Sequence, residues 1–181
     1  ADALYSFIAS LPPTVIVVLD EAYCEYVEEP GYPKALSWLA AFPNLVVTRT
    51  FSKIHGLAGL RVGYAISHPR VAELLNRVRQ PFNVNALGQA AALASLADAD
   101  HLARSRTINR HGLRQLRDGF VANGLRSSPS VANFVLVDCG RAAAGVYEHM
   151  LRAGVIVRPV ANYGLPRHLR FTVGLSDQNT R

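Results

Sequence analysis

Three short segments hold side chains whose types and spacing suit joint chemistry. Lys53, in TRTFSK, is one of only two lysines among 19 basic residues, the other being Lys34. A free lysine has a pKa of about 10.4 and is a poor nucleophile at neutral pH, whereas burial and a neighbouring cation lower that value and suit the amine to imine formation. Arg49 and Arg61 stand near Lys53 in the chain, while Lys34 lies in an aromatic, proline-containing loop without such neighbours. The ordinary role of a lysine is surface charge, but a chain that uses arginine almost everywhere keeps this amine for a reason. Asp20, in LDEAY, ends an apolar run, where an acid serves either as a turn cap or as a functional carboxylate. Tyr23 follows three residues later. Both side chains can face one flat aromatic ligand, the acid toward a ring nitrogen and the phenol toward a ring oxygen; the alternative for Tyr23 is simple contact with Tyr26 and Phe51. Ser52 and Arg61, with the main chain around Gly56 and Gly59, make an anion cradle in which hydroxyl and guanidinium donate and glycines admit close approach. The loop is neither a G-x-G-x-x-G fingerprint nor a G-K-[ST] phosphate loop, so its glycines alone decide nothing.

These groups need strands that end in the right place. Residues 14–19 (TVIVVL) and 45–48 (LVVT) are continuous β-branched apolar runs, the pattern of strands buried on both faces in a parallel sheet. Residues 62–66 make a third short strand. In open α/β sheets the carboxyl ends of the strands form the ligand crevice, and Asp20 and Lys53 both come just after such ends. Helices are predicted over 2–11, near 34–41, over 69–79 with Val71, Leu74, Leu75 and Val78 at helical spacing, over 85–97 and over 98–123. Asn85 reads as a helix cap. Strand 132–137, helix 141–153, short strand 155–157 and strand 169–173 follow. The order reads as α/β followed by α+β: a partial domain over 1–75, and a small domain over 76–181 that includes the long helix. Arg158 precedes Pro159 and is therefore extended. Arg170 alternates with Leu169 and Phe171, so it points away from them. Each arginine is either an edge-strand charge or a partner for an anionic ligand.

Composition narrows the classes. The chain has 181 residues, is 50% apolar and 18% charged, and carries a net charge of +6; that is not the make-up of a disordered tail. No apolar run exceeds five residues, 15–19 being one of that length, far short of the ~20 that span a bilayer. Cys24 and Cys139 lie far apart without metal-ligand spacing, which suggests neither a disulfide framework nor a zinc site and favours a reducing, cytoplasmic setting. Arg104, Arg106, Arg110, Arg114 and Arg117 are strung along one helix among Ala, Leu and Ile, as on a solvated face, rather than bunched with aromatics as for nucleic acid. None of the six histidines is assigned a role; His55 is expected to face solvent or a neighbouring subunit.

An amine, a carboxylate, a phenol and a phosphate cradle together fit pyridoxal phosphate, whose protein sites pair a lysine with an acid at the pyridinium nitrogen. The segments LDEAYCEY, NLVVTRTFSKIHGLAGLRVGY, PFNVNALGQAAAL, SVANFVLVD, GVIVRPVANYGLP and LRFTVG resemble, in order and over nearly the whole chain, the histidinol-phosphate aminotransferases, a fold-type I family dependent on that cofactor. The resemblance implies a mostly parallel large-domain sheet with helices on both faces, followed by a small α+β domain. It implies that Lys53 joins the cofactor covalently and shuttles the proton, that Asp20 holds the ring nitrogen protonated, that Tyr23 binds the 3-oxygen, and that Ser52 and Arg61 bind the phosphate. Arg158 and Arg170 match arginines for the substrate's anionic end. The implied reaction exchanges an amino group between glutamate and histidinol phosphate in histidine biosynthesis, within a homodimer and without nucleic acid or membrane. The resemblance further implies a C-terminal half of an enzyme about twice this length, which alone would hold the cofactor poorly. A threonine-phosphate decarboxylase, an aromatic aminotransferase, and a non-enzymatic basic binding module remain the alternative readings.

Overall fold

A computed structural model describes residues 1–181, which divide into two compact units, Ala1–Leu102 and Ala103–Arg181. In the first unit, α1 (Asp2–Ser10) leads to β1 (Val17–Asp20), β2 (Leu45–Thr50) and β3 (Gly63–Ser67), which form a three-stranded sheet in that order. β1 and β2 run parallel, with Asp20 opposite Thr48, and β3 runs antiparallel to β2. The α/β expectation therefore holds in a mixed form, and the mostly parallel sheet does not. A parallel return needs a crossover element, usually a helix. Residues 51–62 contain only a single 3₁₀ turn, Ala58–Leu60, so the chain folds straight back along β2.

β1 is also shorter and more open than the run TVIVVL predicts. It begins at Val17, and its residues alternate between half-buried and exposed, with Val18 60% exposed. It pairs only with β2 and so lies at an edge. β2 meets the expectation, with Leu45, Val46 and Val47 all buried. Leu45 and Val47 share a core with Ile8 and Ala35, flanked by Trp38 and Phe42.

Helices α2 (Pro69–Val78) and α3 (Ala86–Ala97) follow. On α2, Leu74, Leu75 and Val78 keep their helical spacing but remain exposed. α3 begins at Asn85, whose side chain accepts from Gly88 N at 2.7 Å and so caps the helix as expected. Ala92 of α3 shares a core with Phe51 and Val62. The first unit extends to Leu102, just inside α4 (Ala99–Ala122).

The second unit is built on a wholly antiparallel sheet of β4 (Arg126–Ser127), β5 (Phe134–Asp138), β6 (Arg158–Pro159) and β7 (His168–Thr172), in the order β4-β5-β7-β6. Val135 and Val137 of β5 pack with Leu116 of α4, and Leu169 of β7 packs with Ala143 and Val157 beside α5 (Ala143–Arg152). α6 (Ser176–Thr180) closes the unit. The short strand expected over 155–157 instead forms at Arg158–Pro159, and Val157 before it is buried in the core. No helix is long and apolar enough to cross a membrane.

Candidate active site

Lys53 lies on the turn that follows β2, and its Nζ stands 5.0 Å from the centroid of the Tyr23 ring. At that distance the amine and the aromatic face attract electrostatically. Asp20 closes β1 at the carboxyl end of the parallel pair. Its Oδ1 accepts from Ala22 N at 3.0 Å, an Asx turn that fulfils the capping role and fixes the carboxylate's direction. The β2–β3 connection is pinched at its base by Phe51 N donating to Val62 O at 3.1 Å. Ser52 and Arg61, each one residue inside that bond, are thereby brought to the same neck. Ser52 N donates to Thr50 Oγ1 at 3.0 Å, and Arg61 Nη1 donates to Ala58 O at 2.7 Å. Arg61 has a left-handed backbone, φ 56° and ψ 49°, which a non-glycine residue adopts uncommonly and which recurs at ligand-binding positions. Guanidinium has five N–H donors, so one bond to Ala58 leaves several for an anion.

Arg49 does not play the part its sequence position suggests. Its Nε and Nη2 grip Glu21 Oε2 at 3.0 and 2.8 Å, and Glu21 is only 2% exposed. Burial opposes the Arg49 charge, but hydrogen bonds to Glu21 and Tyr64 outweigh it and raise the guanidinium pKa. The pair ties the end of β1 to β2, and its charge is spent there rather than on Lys53. Burial, then Glu25, pushes the nearby Cys24 thiol up to about 12, away from the reactive thiolate.

The two remaining predicted residues lie in the second unit. Arg158 and Arg170 are register partners on β6 and β7, and Leu136 of β5 is the partner of Arg170 on its other side. The Arg170 guanidinium lies over the Phe134 ring at 4.8 Å, and its buried Nε has no hydrogen-bond partner. Arg158 Nη2 donates to the Tyr163 hydroxyl at 3.2 Å. Like charges directly opposed across strands repel. An anion between or upon them removes that repulsion and meets the unpaired donor. This favours the ligand-binding reading of both arginines over the edge-charge reading.

The donor set fits pyridoxal phosphate by its chemistry: an amine for the aldehyde, a carboxylate for the ring nitrogen, a phenol for the ring oxygen, and a hydroxyl with a guanidinium for the phosphate. Sequence reasoning missed the contacts that hold this set. Glu21, one residue past the end of β1, carries no local signal of its pairing with Arg49. His55, expected toward solvent or a neighbouring subunit, instead places Nδ1 2.6 Å from Ser95 Oγ. Asn85, beyond its cap, donates Nδ2 to Leu60 O at 3.0 Å and anchors the residue before Arg61.

The sequence model of the family described as aminotransferase class I and II matches residues 4–181. Histidinol-phosphate aminotransferase 1 of Nitrosococcus oceani is 59% identical over 181 residues, covering 100% of this chain and 49% of that protein. Histidinol-phosphate aminotransferase 2 of Pseudomonas fluorescens is also 59% identical, with the same coverage. The crystal structure of histidinol-phosphate aminotransferase from Sinorhizobium meliloti in complex with pyridoxal-5'-phosphate superposes with a TM-score of 0.90 at 34% identity, over 99% of this chain and 50% of that one. The chain spans about half the length of the curated relatives it matches. These matches do not bear out the narrower expectation that the half is the C-terminal one.

Proposed function

Because the chain belongs to the aminotransferase class I and II family, we propose that it carries the reactive lysine of a pyridoxal-phosphate-dependent aminotransferase that moves an amino group between histidinol phosphate and 2-oxoglutarate in histidine biosynthesis. One observation carries this reading: Lys53 Nζ stands over the Tyr23 ring beside the carboxyl end of the β1–β2 pair, where Asp20 sits. When bound, the cofactor supplies an electron-accepting ring that stabilises negative charge at the substrate carbon losing its proton. Lys53 Nζ would hold the cofactor at its aldehyde carbon, with loss of water, and once displaced there by the substrate's amine it would be the free base placed to take and return that proton. Asp20 has Oδ1 engaged by Ala22 and offers its other oxygen to hold a proton at the ring nitrogen. The Tyr23 hydroxyl binds the ring oxygen, and Ser52 and Arg61 bind the phosphate. Arg158 and Arg170 bind the anionic end of the substrate. The working assembly is a homodimer, and the two free thiols, Cys24 and Cys139, accord with a reducing cytoplasm.

Lys53→Ala is the deciding change. In the complete protein it is expected to abolish glutamate formation from histidinol phosphate and 2-oxoglutarate while the circular dichroism spectrum stays that of the parent. Retained turnover would overturn the role of Lys53. Faster turnover of tyrosine or phenylalanine than of histidinol phosphate would replace the substrate assignment and leave the lysine's role standing.

A further inference from the structure

The turn that carries Lys53 is held by side chains of α3 and α4. Ile54, adjacent to Lys53, is 2% exposed, and its carbonyl oxygen lies 2.9 Å from His101 Nε2 in the first turn of α4. A carbonyl only accepts, so Nε2 of His101 bears a proton and donates it. Asp98 fixes that first turn by accepting from His101 N at 2.9 Å. His55, two residues beyond Lys53, meets Ser95 Oγ in the last turn of α3 at 2.6 Å, and its ring lies on Phe51 with centroids 4.9 Å apart. The turn itself is tight. Gly56 N donates to Lys53 O and Leu57 N to Phe51 O, each at 2.9 Å, and Gly56 takes a φ of 71° that a side chain would strain. Neither imidazole is needed by the chemistry assigned to Lys53, Asp20, Tyr23, Ser52 and Arg61.

Resting on that assignment, the geometry points to His55 and His101 as positioning residues for Lys53: the His55–Ser95 and His101–Ile54 hydrogen bonds fix the main chain just past the lysine and so deliver its amine over the Tyr23 ring. An amine on a long flexible stem samples many rotamers from an unrestrained turn. Pinning the next two residues removes backbone motion from that spread. The two bonds anchor to different helices, so each can be removed separately while α3 stays held by Ala92 against Phe51 and Val62.

The two lysines make the test internally controlled. The protein is treated with pyridoxal phosphate, reduced with borohydride, and the ratio of modification at Lys53 to that at Lys34 is read by mass spectrometry. Amide hydrogen exchange is followed alongside at Gly56 and Leu57 in the turn and at Val46 and Val47 in β2. Ser95→Ala and His101→Leu are each expected to lower the Lys53-to-Lys34 ratio and to speed exchange at Gly56 and Leu57 by about five- to tenfold, the size that loss of one hydrogen bond gives. Val46 and Val47 are expected to keep their protection, which shows that the sheet is intact. Ser95→Thr and His101→Gln keep a donor at each place and are expected to restore both readouts. An unchanged ratio in the first pair, or an equal loss in the conservative pair, overturns the positioning role. If the parent labels Lys53 no faster than Lys34, the reading of Lys53 as the reactive amine falls, and the exchange rates at Gly56 and Leu57 still decide whether the two bonds hold the turn.

Discussion

The two units place their proposed site residues by opposite means. In the first, Lys53, Ser52 and Arg61 ride on a connection of twelve residues between β2 and β3, and nothing in sheet geometry dictates where they point. Their position comes from discrete side-chain bonds, at Ile54, His55 and Leu60, and from contact of Phe51 and Val62 with α3. In the second, Arg158 and Arg170 sit on paired strands, and the register itself sets them opposite one another. A site on a loop must be built from separate contacts, each worth little alone, whereas a site on strands inherits its geometry from a ladder that also carries the core. Loop sites should therefore lose function by small steps, and strand sites should fail together with the fold.

That contrast breaks most sharply at Leu169. It is fully buried, next to Arg170 in β7 and opposite Pro159 of β6. Leu169→Ala is expected to cost about 2–5 kcal/mol of stability and to loosen the arginine pair with it, measured by urea unfolding together with binding of inorganic phosphate. A variant that unfolds at the parent's urea concentration would show that register is not held by the core.

A smaller loss is expected at Gly88. A Cβ there would meet Val62 Cγ2 at 2.6 Å, so the helix approaches the base of the Lys53 loop more closely than any side chain allows. Helix propensity favours alanine over glycine by about 1 kcal/mol, but crowding of a packed contact costs about 1–3 kcal/mol. Gly88→Ala is expected to destabilise on balance and to speed amide exchange at Val62. A stabilised variant would mean that α3 can shift without disturbing the loop.

The smallest effect is a pH dependence from His55. Burial, and to a lesser degree the nearby His101, lower its pKa below 6.5, against the opposing pull of Glu25. The unfolded chain therefore binds the proton first as pH falls. The stability that depends on a neutral His55 is present above the ordinary histidine value and declines as pH drops through it toward the folded value. His55→Gln should flatten that part of the urea-midpoint profile; an unchanged slope would place the titration elsewhere.

What the sequence made legible follows the same division. The proposed site residues Lys53, Asp20, Tyr23, Ser52 and Arg61 stand out because their chemistry is rare in combination, and Asn85 was legible because capping is a local rule that its own neighbours satisfy. The direction of β3 was not legible, since strand composition is the same in either sense and only the lack of a crossover helix decides it. β1 read as doubly buried because its residues are β-branched, yet its place at a sheet edge leaves Val18 open. The Glu21–Arg49 pair and the His55–Ser95 bond join residues 28 and 40 positions apart; no local pattern marks them. The opposition of Arg158 and Arg170 depends on a register that a two-residue strand does not announce.

The central claim is that Lys53 is the amine that takes the cofactor. Borohydride reduction of the protein after addition of pyridoxal phosphate, followed by peptide mass spectrometry, tests it most directly. The phosphopyridoxyl group is expected on Lys53 well ahead of Lys34, and its loss from that peptide is expected in Asp20→Asn and Arg61→Leu variants. Modification at Lys34 with Lys53 left bare would contradict it.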